Sequence, residues 1–237
     1  MRLVRTGRNW PLLCYAAACL VAMAGVAIAV ARFPGGFDWV YTVISRLASP
    51  RHNPDGARWL TGSLLAAAIL LWPVTGHLGR SFGPGQARPR LSMAALRIGL
   101  VGAVLLAIEG LTPLDLSRLV RKAHEALALI TFFALYAGVL GLYVRRIRTA
   151  TAFLWPALLV VLPLCAVGVT QLVLYLGQRD LGWVNTDWRE MGIPFWLSFA
   201  FWQWLAVAFL AVGLGLLVVS ATSGPDSEPA PPTSDLF

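Results

Sequence analysis

Long apolar runs alternate with short polar breaks along almost the whole chain. Six of the runs reach the roughly 20 residues that an α-helix needs to cross a hydrocarbon core: Trp10–Ala31, Trp59–Leu78, Ala94–Thr112, Glu125–Val144, Ala152–Gly177 and Pro194–Ser220. The strict two-residue alternation of a lipid-facing barrel strand is missing from them. Backbone exposed to lipid must satisfy its own hydrogen bonds, so the runs predict helices. The expected fold is all-α: one polytopic membrane domain over residues 1–221, a bundle of six transmembrane helices. The stretch "TSGPDSEPAPPTSDLF" that closes the chain is polar and Pro-rich, and predicts a disordered tail over 222–237.

Composition points the same way. The 237 residues are 58% hydrophobic and 13% charged, with a mean hydropathy of +0.70, whereas soluble domains carry about 25% charged residues. The first run has a second reading. Arg2, Arg5 and Arg8 precede it and Ala29-Val30-Ala31 ends it, as in a secretory signal. Its apolar length exceeds the roughly 7–15 residues of a signal core, so a retained span is expected. No internal repeat is evident.

The charges set an orientation. Arg2, Arg5 and Arg8, then Arg80, Arg88 and Arg90, then Arg145, Arg146 and Arg148 form three basic segments without an acid among them. The positive-inside rule places these segments, and both termini, on the cytoplasmic side of the membrane. The first, third and fifth connections mix signs and face outward. The net charge of +8 is therefore a topology signal. Scattered arginines without a recognition motif exclude nucleic acid as a partner. Cys14, Cys19 and Cys165 lie within spans, without a CxxC or a neighbouring His, and read as packing residues.

Polar residues buried in these runs gather toward the outer ends. Glu109 closes the third run, His124 and Glu125 open the fourth, Gln171 lies in the outer half of the fifth, and Gln203 is two turns into the sixth. Embedded ionisable groups are expensive and by default mark function. Above them lies "GFDWVYTVISRLASPRHNPDGARW", a long polar connection containing Ser45, Arg46, His52 and Asn53; ordered connections of this length are often functional. In "EGLTPLDLSRLVRKAHEALAL", Thr112-Pro113 ends a helix, Asp115 can cap the short segment after it, and Arg118, Arg121 and Lys122 share one face. Such a cationic stripe suits a lipid phosphate, or equally an interfacial anchor.

The catalytic candidates are thus His124, Glu109, Asp115 and Ser45. The substrate-binding candidates are Arg46, Asn53, Arg118, Arg121, Gln171 and Gln203. A Ser45–His124–Asp115 triad has the required residue types, but "VISRLA" lacks the glycines of a nucleophile elbow, and Ser45 can equally bond locally at a short interfacial helix. His77 lies near the inner end of the second run, too far from His124 to share a metal or clamp a haem with it. His52 and His124 can meet, yet no zinc-type spacing accompanies them. No metal and no other cofactor is expected. The aromatic run "PFWLSFAFWQW" reads as an interfacial belt, part of which can also line a cavity.

These loop motifs resemble the bacterial six-helix family labelled domain of unknown function 998, which is similar to the DRAM/FRAG/Sfk-type membrane proteins. The likeness rests on Ile44-Ser45-Arg46-Leu47, Asn53-Pro54, Pro113 with Asp115, and His124. Arg46 departs from the acid often found after that serine. The resemblance implies six spans with both termini inside and, from distant relatives, a role with lipids; it implies no particular reaction. The expected function is handling of membrane lipids, through transfer or hydrolysis of an acyl or headgroup unit. The alternative is a non-catalytic binding or organising protein whose outer charges are structural. A transporter is less favoured, because paired broken helices and a mid-membrane charge are absent.

Overall fold

The computed structural model describes residues 9–82, 89–112, 123–176, 189–190 and 192–223. Among them all regular structure is helical. The helices are α1 (Trp10–Ala31), a short α2 (Ile44–Ala48), α3 (Ala57–Arg80), α4 (Arg90–Leu111), α5 (Ala123–Ile147), α6 (Leu154–Leu176) and α7 (Phe199–Thr222). All but α2 are long and apolar enough to cross a membrane. Their outward faces carry large apolar side chains such as Leu13, Leu20, Met23, Leu162 and Val169, each more than half exposed. In water that surface would be a liability, whereas in lipid it is the solvated face.

Element ends differ from the apolar runs where local chemistry overrides hydropathy. The last helix starts at Phe199 instead of Pro194, because Phe195–Leu197 form a 3-10 turn. Ser198 is then extended and caps α7 by accepting from the Phe201 N–H at 3.4 Å. The helix α4 starts earlier than its apolar run, at Arg90 just after Pro89, since long basic side chains extend a helix into the interface. The tail beyond residue 223 lies outside the described residues.

Consecutive spans pack as antiparallel neighbours: α1 on α3, α3 on α4, α4 on α5, and α6 on α7. The last helix closes back on α1 and also touches α3 and α5. Between α4 and α5 the contact is a ladder of small residues. Leu135 sits over Gly99, Thr131 over Gly102, Leu96 over Gly138 and Ser92 over Gly141. Lipid supplies no hydrophobic drive between helices, so close approach across small residues is what holds such pairs.

A second device secures α7. Buried phenols donate to its backbone carbonyls: Tyr136 to Ala206 at 2.8 Å, Tyr143 to Gly213 at 2.7 Å, and Tyr15 to Ala211 at 2.6 Å. Tyr136 and Tyr143 are one heptad apart, as are their acceptors, so α5 and α7 run parallel in register. A single core cluster, including Tyr136, Tyr143, Val160, Leu217 and Val218, fills the half of the bundle nearer Trp10 and Thr222. That end is sealed by Trp10, edge-on to His77 at 5.9 Å. Arg146 adds to the seal by donating to Ser81 Oγ at 3.0 Å and lying over the rings of Phe82 and Phe153.

Candidate functional site

The far end of the bundle, opposite Trp10 and Thr222, holds the ionisable pair. The α4–α5 ladder pairs Gly102 with Thr131. Carrying that antiparallel register seven residues farther brings Glu109 to His124. Glu109 Oε2 lies 2.8 Å from His124 Nδ1. An ionised carboxylate only accepts, so in this pair Nδ1 is the donor. The carboxylate side chain is 12% exposed and the imidazole 37%. The acid is thus sheltered behind an accessible ring, the arrangement in which a carboxylate orients a histidine for proton transfer. Beside it, Thr61 of α3 packs against Gly110.

The polar connection between α1 and α3 folds over a different part of the same end, against α1, α3 and α7. The chain leaves α1 through Gly35 and Gly36, whose φ values of +74° and +91° strain any residue with a Cβ. Phe37 and Trp39 then pack against Trp204 of α7, with centroid separations of 5.8 and 4.9 Å. Trp204 Nε1 donates to the Thr42 carbonyl at 3.0 Å, and Ser198 Oγ donates to the Val40 carbonyl. The Tyr41 hydroxyl donates to the Ile193 carbonyl at 2.8 Å, and Arg189 pairs with Asp38 at 3.0 Å. Gln203, from α7, accepts from the Ile44 N–H at 3.0 Å and so caps α2, whose own flanking residue supplies no cap.

Asn53 is the pivot of this connection. It is fully buried. Its Nδ2 donates to the Ala29 carbonyl at 3.0 Å and the Leu47 carbonyl at 3.1 Å, while Oδ1 accepts from the Gly56 N–H at 3.1 Å. One amide therefore satisfies the last turns of α1 and α2 and the start of α3, groups that helices leave without partners of their own. Asn53, expected as a substrate contact, has no exposed surface in this structure, and its side-chain amide is already bonded within the fold. Gln203 likewise spends its carbonyl on the fold.

The expected convergence of candidates is thus divided. Glu109 and His124 meet. Ser45 and Arg46 sit half-buried on α2, and no hydrogen bond among the described residues joins them to the His124–Glu109 pair. Arg46 keeps a buried Nε without a partner among the described residues, as Gln171 does its Nε2. His52 turns to Ser49 Oγ at 3.1 Å. Burial, and then the cations of Arg46 and Arg51, hold its imidazole below the ordinary histidine range. Asp115, Arg118, Arg121 and Lys122 lie outside the described residues. His77 is at the terminal end, a bundle length from His124. Among the described residues no group of three His, Cys, Asp or Glu side chains forms a metal set.

Several structural roles were missed from sequence. The phenol bonds of Tyr15, Tyr136 and Tyr143 and the Asp38–Arg189 pair join residues far apart in the chain, with no local signal. The small residues were visible: Gly99 with Gly102 and Gly138 with Gly141 share the same three-residue spacing. Of the aromatic run, Phe195 and Trp196 are exposed as a belt, while Trp204 belongs to the loop cluster. Comparison of the chain with protein-family models, with curated proteins and with solved structures returned no match, and the reading of the site rests on its geometry.

Proposed function

We propose that this protein is a lipid-handling membrane enzyme with its acid–base centre at His124 and Glu109, acting on an acyl or headgroup unit of a membrane lipid. The observation that carries the reading is the carboxylate–imidazole pair, with its sheltered acid and partly exposed ring, at the far end of α4 and α5. In this reading Nε2 takes a proton from water or a lipid hydroxyl. The freed oxygen attacks the ester carbon or phosphorus, and the proton is returned to the leaving oxygen. Arg118 and Arg121, close to His124 in sequence, would neutralise the headgroup phosphate, with Asp115 beside them. The likeness of the loop motifs to the domain of unknown function 998 family supports the same reading. The basic segments support a multi-pass bacterial inner-membrane protein with both termini cytoplasmic.

General acid–base catalysis contributes about 10²–10⁴-fold in rate, so His124→Ala should abolish turnover and Glu109→Gln should lower it by about 10²-fold within that range. The test compares lipid profiles of cells making the native chain, His124→Ala at equal abundance, or neither. A species that changes with the native chain alone names the substrate class. Three identical profiles, with His124→Ala less heat-stable after extraction, would sink the enzymatic reading. A non-catalytic organising role then takes its place, favoured by the internal bonding of Asn53, Gln203 and Ser198.

A further inference from the structure

The short stretch from α2 into the turn before α3 carries Arg46, Arg51 and His52. Main-chain bonds fix their spacing. The Ser49 N–H donates to the Arg46 carbonyl at 3.3 Å, and the Ser49 carbonyl accepts from the N–H groups of His52 and Asn53 at 3.1 and 2.8 Å. Asn53 then ties the turn back to α2 through the Leu47 carbonyl. Arg46, Ser49 and His52 therefore follow one another at three-residue steps on a pinned backbone, and His52 Nδ1 meets Ser49 Oγ at 3.1 Å. Both guanidinium charges reach the imidazole: after burial, Arg46 and then Arg51 hold His52 below the ordinary histidine range.

No acid answers these cations among the described residues. Asp38 is spent on Arg189. Asp55, close by in the chain, is exposed and forms no ion pair with Arg46 or Arg51. Arg46 Nε is buried without a hydrogen-bond partner among the described residues, a costly state for a donor. The only side-chain bond His52 makes among them runs through Nδ1. Arg51 is exposed, and Arg46, Ser49 and His52 are half-buried, so the cluster opens outward at the far end of the bundle. The turn offers donors and positive charge, and no carboxylate of its own to meet them.

We propose that this turn binds one phosphate group, held between Arg46 and His52 with Arg51 at the open rim. A planar guanidinium matches two phosphate oxygens at once, and a protonated imidazole can donate to another. The negative charge of the phosphate offsets the two guanidinium charges, so His52 takes up a proton from water as the group binds. A lipid headgroup and free phosphate present the same chemistry here. The site is separate from the Glu109–His124 pair, and the inference is independent of any enzymatic activity.

The test is the titration of the His52 imidazole, followed by NMR of the full chain with isotope-labelled histidine in a maltoside detergent, which carries no phosphate. Inorganic phosphate, phosphatidylglycerol, diacylglycerol and sodium chloride at matched ionic strength are added in separate series. A phosphate-bearing compound should raise the His52 midpoint saturably by about one pH unit, as an opposite charge nearby does. Diacylglycerol and chloride should not. A rise with both phosphate compounds assigns the site to the phosphate group itself; a rise with only one names the lipid or the free ion as its source. Arg46→Gln and Arg51→Gln each raise the starting midpoint by removing a cation, and should lose most of the further rise. Arg58→Gln, at the same end of the bundle, should keep it. Arg51 is exposed, so its variant still reports on the site where Arg46→Gln fails to fold. No rise with either phosphate compound, an equal rise with chloride, or an undiminished rise in either of the two variants overturns the proposal.

Discussion

Asn53 and His52 are neighbours with opposite relations to water. Asn53 is sealed in, and its amide joins three helix ends that no local residue caps. Asn53→Ala strands the Ala29 and Leu47 carbonyls in a dry place, while the Gly56 N–H keeps the main-chain carbonyl of residue 53 at 3.3 Å. Each buried group left unsatisfied costs about 1–3 kcal/mol, so a loss of about 3 kcal/mol and a melting temperature lower by on the order of 10 °C are expected in detergent. An unchanged melting curve would mean the loop is not pinned there. His52 titrates. Its folded pKa is lowered, chiefly by burial, so the folded chain binds fewer protons than the unfolded one as pH falls. Its contribution is full above the unfolded value of about 6.5 and is lost below it. Melting temperature should therefore fall from pH 7.5 to pH 5, and His52→Asn should flatten part of that slope. An identical slope in the variant would remove His52 as the cause. That Asn53-Pro54 matters was legible in sequence; that it matters as a strut was not, since its acceptors lie 24 and 6 residues away.

The α4–α5 pair shows how an element-level pattern builds a site. Glycines and small hydroxyl residues recur along both helices in one antiparallel register, and Glu109 and His124 are the rung at its far end. Disturbing the ladder should therefore disturb the pair. A Cβ at Gly138 would come within 2.8 Å of the Leu96 backbone nitrogen, whereas a Cβ at Gly168 on α6 meets nothing within 4 Å. Forced overpacking costs about 1–3 kcal/mol. Gly138→Ala should lose that much heat stability, and the imidazole resonance of His124 should shift in NMR spectra. Gly168→Ala should be neutral or slightly stabilising, as alanine is the better helix former. Equal behaviour of the two variants would refute the ladder.

At the scale of the whole molecule the two ends are built differently. The terminal end is a filled aromatic and aliphatic core closed by Trp10, His77 and Arg146. The far end carries the folded connection, α2 and the acid–base pair. The last helix ties them together, holding α1 and α5 through phenols and the connection through Ser198, Gln203 and Trp204. Sequence alone determined the six helices, their approximate lengths and the end of the bundle to which polar groups belong, because hydropathy and helical rise are local quantities that need no knowledge of neighbours. It also brought Glu109 and His124 to the same depth. Only the tertiary structure decided that these two touch while Ser45, Arg46 and Asn53 belong to another part of that end. Helix order around the bundle and the acceptors of buried hydrogen bonds depend on contacts between residues distant in the chain, and a one-dimensional pattern of apolar and polar positions carries no record of them.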